Sequence, residues 1–356
     1  MKRVGYLYDK ICELENVKTA IKNSTKGKRN KDYVREVYEN ADKYAVEISE
    51  ILKAKRYKFG KNTQRVIHDP SAQKDRTITV PRFYPDQIIH WAVMQIVQPV
   101  IMRGMYKYCC GSVPKRGGMA VKRKIDSILK SDSKAKYILK LDIKKFFPSV
   151  RHDKLKELLA RKIKDKDTLG ILYATIDNGG DGLPIGYYTS QWFSNFYLEE
   201  IDHYIKQTLH IRHYVRYVDD MVLIDTNKRK LRRARIQLAE FMEREGYGLT
   251  IKANWQLWRI NSRPLDFVGY RFYKNYTRLR KKLFFRLTRT VRGIQRRGLN
   301  IYNARRFNSL IGWTAHINFR HYYTTNIKPI ISKRAAKRYI GRYDKKQNRE
   351  REKKEK

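Results

Sequence analysis

The sequence predicts an α+β chain in which a small antiparallel sheet is set among many helices, and three observations predict it. Apolar residues recur at helical spacing over long runs, as at Val34, Val37, Tyr38, Ala41, Tyr44, Ala45, Ile48, Ile51 and Leu52. Short β-rich runs interrupt them, at residues 77–80, at 137–142 and on either side of Asp219-Asp220. With 41% hydrophobic residues, the 356-residue chain can fill a sizeable core shared by two or three subdomains.

Residues 6–22 and 31–54 read as two helices joined by the polar linker STKGKRN. Val66-Ile67 and residues 77–80, separated by DPSAQKDR, read as a β-hairpin with a basic tip. Pro81 opens a run whose Ile88, Ala92, Val93, Ile96 and Val97 return at helical spacing. GSVPKRGG (111–118) leads into an amphipathic helix near 119–130, and 137–142 is a compact strand. Residues 153–176 read as helix, the loop DNGGDGLPIG follows, and a long helix runs from about Ser190 to Gln207. Strands at 213–217 and 221–225 flank an acidic turn, and 229–246 is a charged helix. Short strands near 249–252, 256–260 and 266–273 precede a mostly helical, basic remainder, and YDKKQNREREKKEK ends the chain as a frayed helix or disordered tail.

Charge narrows the function. Eighty Lys+Arg against 35 Asp+Glu give a formal net charge of +45, which would drive an isolated globule apart and calls for a polyanionic partner. The imbalance is concentrated: residues 267–343 hold 20 Lys and Arg and no Asp or Glu. Interleaved with them are Phe284, Phe285, Tyr302, Phe307, Trp313, Phe319, Tyr322 and Tyr323, some for a core and some able to stack on bases or sugars. Nucleic acid is the first candidate. The most apolar stretch, residues 88–102, is broken by His90, Gln95, Gln98 and Pro99 and falls short of the ~20 clean residues of a membrane span. The N-terminus places charges where a secretion signal has its apolar segment, and Cys12, Cys109 and Cys110 have neither metal-type nor disulfide-type spacing, so a cytoplasmic location is expected.

Two acidic sites carry the chemistry. In LDIKKFFPSV, the strand ending at Leu141 delivers Asp142; in HYVRYVDDMVLI, two apolar strands flank Asp219-Asp220. A hairpin with consecutive carboxylates at its turn is unfavourable unless something offsets their repulsion, and two divalent cations would do so. Such a site can clamp a triphosphate and activate a terminal hydroxyl. Alone, the Asp-Asp pair is equally a solvated turn.

Read in order, KDRTITVP, LDIKKFF, GLPIGYYTSQWFSNFYL, YVDD, LTIKAN and LDFVGYRF make the chain resemble a reverse transcriptase over roughly residues 30–330. Most members carry Gln between the Pro and Gly of the third motif and a Ser-Pro pair after it; here stand Ile185 and Ser190-Gln191. That variant resembles the reverse transcriptases of diversity-generating retroelements. The resemblance implies a right-hand polymerase: an N-terminal helical extension (1–56), fingers (57–135) interleaved with a palm (136–273) built on an antiparallel sheet, a basic helical thumb (274–342) and a charged tail (343–356). It also implies an RNA-directed DNA polymerase copying a structured template RNA, error-prone at template adenines. The alternatives are a retron-type or group II intron-type enzyme, or a catalytically inactive RNA-binding relative.

Carried over residue by residue, Asp142, Asp219 and Asp220 are the catalytic set. Asp142, Asp219 and the carbonyl of Ile143 would ligate two Mg2+ ions, with Mn2+ as the alternative, and Asp220 would act as ligand or through its field. Lys74 and Arg76 would reach the incoming deoxynucleoside triphosphate, a solvated hairpin tip being the bland alternative. Phe147, five residues after Asp142, would exclude a 2′-hydroxyl by overlap. Ile185, Gly186 and Gln191 would line the nascent base pair, where Ile185 cannot make the polar contacts of a Gln and would lower fidelity. Lys252 would compensate charge or donate a proton to pyrophosphate, or is a surface lysine. Phe267, Val268, Gly269 and Tyr270 resemble the primer grip. The family's partners are template RNA and its RNA/DNA duplex, deoxynucleoside triphosphates and a small basic oligomeric accessory protein.

Overall fold

The computed structural model describes residues 3–55, 57–69 and 74–354, apart from the side chains of Asp69, Lys74, Asn348 and 351–354. Four helices open the chain: α1 (Tyr8–Cys12), α2 (Leu14–Thr25), α3 (Asp32–Glu39) and α4 (Ala41–Lys53). The apolar spacing predicts two, and a side-chain amide sits at each division. Asn16 Nδ2 donates to the Ile11 carbonyl at 2.9 Å, and Asn40 Nδ2 shares the Glu36 carbonyl with its own backbone amide, both at 3.0 Å. The hairpin follows as β1 (Thr63–Asp69) and β2 (Lys74–Val80), paired from Thr63↔Val80 to Asp69↔Lys74. The middle of its expected basic tip, 70–73, lies outside the described residues.

Next come α5 (Ile88–Met102), β3 (Cys109–Cys110), α6 (Gly118–Ser131), β4 (Tyr137–Leu141), α7 (Phe146–Ser149), α8 (His152–Lys162) and α9 (Lys166–Asp177). The helix expected over 153–176 is two. Asp165 divides them by capping α9 at Thr168 N with one oxygen while the other accepts from Leu7 N and Tyr8 N at 2.8 and 2.9 Å. Those three amides hold its carboxyl below the usual range, although burial pushes it the other way. The helix expected over 190–207 likewise divides at Leu198 into α10 (Tyr188–Tyr197) and α11 (Glu199–His203). Then follow β5 (His213–Tyr217), β6 (Asp220–Asp225), α12 (Lys228–Arg244), β7 (Gln256–Arg259), β8 (Leu265–Phe267), β9 (Tyr270–Phe272), β10 (Thr277–Leu279), α13 (Lys281–Arg297), α14 (Ile301–Gly312), α15 (Arg320–Tyr322) and α16 (Lys333–Lys354). The strand expected near 249–252 is a single bridge, Ile251 to Ile143.

The five-stranded sheet has the order β3-β5-β6-β4-β7. Its β5–β6 centre is antiparallel, closed by a two-residue turn between Tyr217 and Asp220. At the edge β3 pairs parallel to β5, a strand of two cysteines too short to show as a period. The chain forms two compact units. One comprises residues up to Val121 with Leu139–Leu257; the other comprises Lys122–Ile138 with residues from Trp258 on.

In the first unit, Ile11, Val17, Ile21, Val34, Ile48 and Leu52 from the opening helices are buried, as are Ile89, Val93 and Val97 of α5. At roughly 1.5–3 kcal/mol per fully buried large apolar side chain, this is the main source of stability. In the second unit a three-stranded β8-β9-β10 sheet accompanies helices whose core is Leu287, Val291, Ile294, Phe307, Leu310, Ile311, Ile327 and Ile331. The outer faces of its helices are basic. Arg289, Arg297, Arg306, Asn300 and Tyr302 line a recess of about 370 Å³, and the Nε of Arg306 is buried without a hydrogen-bond partner. The charged C-terminal segment continues α16 as far as Lys354, pinned where Arg305 meets Asp344 at 2.6 Å. Among the described residues no helix is long and apolar enough to cross a membrane.

Candidate active site

All three acidic candidates belong to the first unit. Asp142 immediately follows β4, while Asp219 lies in the turn between β5 and β6 and Asp220 opens β6; β4 and β6 are neighbours in the sheet. The Asp142 carboxylate is divided in its surroundings. Lys252 Nζ donates to its Oδ2 at 2.6 Å, whereas its Oδ1 is buried with no hydrogen-bond partner. Backbone bonds lock the pair in register: Lys252 N donates to the Asp142 carbonyl and Lys144 N to the Thr250 carbonyl, both at 2.8 Å, around the Ile143–Ile251 bridge.

Asp219 feels the other carboxylates. Burial above all pushes its pKa up to about 6; its own backbone amide pulls it down, the charges of Asp142 and Asp220 add to the rise, and Lys252 opposes them. A buried oxygen without a donor and a carboxyl raised by burial and by its neighbours' charge are both relieved by a cation, so this donor set fits one. It is not a closed cage: among the described residues no three His, Cys, Asp or Glu side chains converge as a metal site. The Lys252 ammonium occupies one of the six carboxylate oxygens.

The loop carrying Ile185 and Gly186 is fastened to its surroundings by backbone. Thr79 N in β2 donates to the Ile185 carbonyl at 2.8 Å. Gly186 has φ +123°, and a Cβ there would overlap the Thr79 carbonyl oxygen and come within 2.6 Å of an Ile78 methyl, so only glycine fits. At the loop's start Leu183 N donates to the Phe147 carbonyl at 2.8 Å, tying it to the segment after Asp142. Phe147 and Ile185 are half-buried, Gln191 is exposed on α10, and Phe146 is core. Arg76 is exposed on β2 opposite Ile67; the Lys74 side chain lies outside the described residues. The Phe267, Val268, Gly269 and Tyr270 segment belongs to the second unit, where it is the β8–β9 turn with Phe267 and Tyr270 buried.

Directly behind the acidic turn stands a polar cluster that the sequence reading does not include. Arg216 of β5 is fully buried and bidentate to Asp202 of α11, Nη2 to Oδ2 at 2.6 Å and Nε to Oδ1 at 2.7 Å. Tyr214 donates to the same carboxylate at 2.7 Å. Burial opposes the charged guanidinium, but the adjacent Asp202 carboxylate outweighs it and holds its pKa well above the ordinary value. The available signal is an arginine inside the otherwise apolar and aromatic run YVRYV.

The fold is that of a right-hand polymerase: it superposes on apo telomerase from Candida tropicalis with a TM-score of 0.50, at 13% identity, over 77% of this chain and 60% of that one. The sequence matches the family "reverse transcriptase (RNA-dependent DNA polymerase)" over residues 67–272, more than half of its length, and the chain belongs to that family. It is 32% identical over 117 residues to the retron Ec73 reverse transcriptase of Escherichia coli, covering 29% of this chain and 37% of that protein. It is 24% identical over 156 residues to protein YkfC of Escherichia coli strain K12, covering 40% and 41%. The matched stretches thus span well under half the length of these relatives.

Proposed function

We propose that the protein is an RNA-directed DNA polymerase whose catalytic set is Asp142, Asp219 and Asp220. The observation that carries this reading is the Asp142 carboxylate, with one oxygen held by Lys252 and the other buried and unpartnered beside a turn whose Asp219 is raised by burial and by its neighbours' charge. An all-oxygen donor set of carboxylates and the Ile143 carbonyl suits Mg2+. Bound there, two such ions would supply charge neutralisation for a triphosphate and activation of a primer 3′-hydroxyl.

The remaining roles are this chain's own. Arg76 and Lys74 on the hairpin meet the triphosphate, and Phe147 excludes the 2′-hydroxyl. Ile185, Gly186 and Gln191 wall the nascent pair, and Lys252 offsets charge at Asp142. The basic second unit, whose residues 267–343 hold no Asp or Glu and which carries the arginine-lined recess, is the thumb that follows the phosphates of a template–product duplex, with the Phe267–Tyr270 turn as primer grip. Recognition by shape and phosphate makes duplex binding fall steeply with salt.

Ile185 in place of a polar residue supports the diversity-generating reading, with a structured template RNA and a basic accessory protein as partners and template adenines as sites of error. The similarity to a retron reverse transcriptase favours the second reading, a retron-type enzyme. Both are tested by purifying the protein with co-expressed RNA and sequencing bound RNA and cDNA. Adenine-directed errors that fall in Ile185→Gln support the first, and a faithful or branched product supports the second. Mg2+-dependent deoxynucleotide incorporation that survives Asp142→Asn or Asp219→Asn overturns the catalytic assignment.

A further inference from the structure

We propose that Arg216 is a positioning residue for the acidic turn: clamped by Asp202 and Asn195, it holds the Val218 carbonyl and thereby fixes the left-handed backbone that presents Asp219 and Asp220. This rests on the reading of those two acids as catalytic. Val218 has φ +56°, a conformation that a β-branched residue adopts only when its surroundings impose it. Both of its backbone groups are held. Arg216 Nη1 donates to its carbonyl at 2.8 Å, and its own amide donates to the Cys110 carbonyl at 3.1 Å. The Val218 methyl packs against Gly111, where a Cβ would lie 2.9 Å from it.

The guanidinium is in turn over-determined. Besides Asp202 it reaches the Asn195 Oδ1 at 3.1 Å, and its Nη2 lies 3.1 Å from the Cys109 sulfur. Asn195 Nδ2 donates to the carbonyls of Gly111 and Gln191, each at 3.0 Å. A continuous hydrogen-bonded path therefore joins Gln191, a residue assigned to the nucleotide pocket, to the turn assigned to the metals. A carboxylate-bearing turn cannot be fixed by apolar cover without burying its charges, so a polar support from beneath is the remaining means. Outer supports of this kind are typically worth about 10–100-fold in metal affinity or activity.

The test separates placement from stability. Replacing the whole cluster with apolar groups, Arg216→Met with Asp202→Leu and Tyr214→Phe, leaves no unpaired buried charge, and such replacements are commonly neutral for folding. The expected result is a folded protein whose kcat for deoxynucleotide incorporation falls about 10–100-fold and whose half-saturating Mg2+ concentration rises. In valine-labelled protein, the backbone carbon shifts of Val218 leave their left-handed values. Should the triple variant fail to fold, Arg216→Lys decides: it keeps the charge against Asp202 but cannot span Asp202, Asn195 and the Val218 carbonyl together. Val218→Gly added to Arg216→Lys recovers part of the lost kcat, since glycine takes φ +56° unaided. Unchanged kcat, Mg2+ dependence and Val218 shifts in a folded variant overturn the proposal. A wild-type chain that incorporates no nucleotide instead overturns the polymerase reading, while the Val218 shifts still judge the clamp.

Discussion

The β5–β6 and β8–β9 hairpins both close with two residues, Val218-Asp219 in one and Val268-Gly269 in the other, and both valines take positive φ, +56° and +40°. Their supports differ. At the second turn Gly269 supplies the next positive φ, +84°, and the turn is seated on apolar surface: a Cβ on Gly269 would lie 2.8 Å from the Trp313 ring, and Phe267 and Tyr270 on either side are buried. Its nearby ion pair, Asp266 with Arg280, is 42% exposed on both sides. At the first turn the second residue is a carboxylate, and the support comes from below as a fully buried ion pair, Arg216 with Asp202. The uncharged turn is held by packing and by a backbone amide, Arg280 N on the Gly269 carbonyl at 3.0 Å. The one that carries two acids is held by a buried guanidinium on its carbonyl.

The largest test of that contrast turns one loop into the other. Asp219→Gly gives the first hairpin the Val-Gly pair of the second. The fold is expected to survive, with a melting temperature at or above that of the parent, because burial no longer opposes a charge there. Deoxynucleotide incorporation is expected to fall by at least about a thousandfold, as for loss of a principal electrostatic group. A variant retaining activity would show that the acid is incidental. Next in size, Asp202→Ala strands the buried Arg216 and should cost about 3–5 kcal/mol in urea unfolding. Asp266→Ala beside the other turn removes an exposed pair and should stay within about 1 kcal/mol. Equal losses would break the distinction between the two supports.

How much of this was legible in the sequence follows from the same contrast. The alternation in HYVRYVDDMVLI is enough to place a hairpin with its acids at the turn, because the flanking apolar residues have only one way to be buried. The glycine at 186 was likewise readable as a close approach, and the Thr79 carbonyl is what it approaches. Arg216 was visible as a letter but not as a part, since its partners Asp202, Asn195 and Cys109 lie 14, 21 and 107 residues away and no local period links them. Helix ends were misjudged where a side chain acts on backbone, as Asn16, Asn40 and Asp165 do, because apolar spacing continues straight through such breaks. The two-residue β3 and the three-residue β10 were too short to show a period at all.

The smallest expected effect asks what the valines themselves contribute. Replacing either by glycine removes a left-handed β-branched residue, a relief of about 1–3 kcal/mol, and adds unfolded-chain freedom that offsets roughly 0.5–1 kcal/mol of it. Val218→Gly also loses the methyl packed on Gly111, so it should gain less than Val268→Gly, with both close to the parent in stability. Amide exchange is the sharper measurement. The residue 218 amide is held by the Cys110 carbonyl and its carbonyl by Arg216, so this turn should stay protected when glycine replaces valine. The β8–β9 turn is held by side-chain packing around Gly269 and by the Arg280 amide on the Gly269 carbonyl, and Val268→Gly should leave the residue 268 amide exchanging faster than the one at 218. Equal protection at the two positions would mean that the buried cluster adds nothing to the rigidity of the acidic turn.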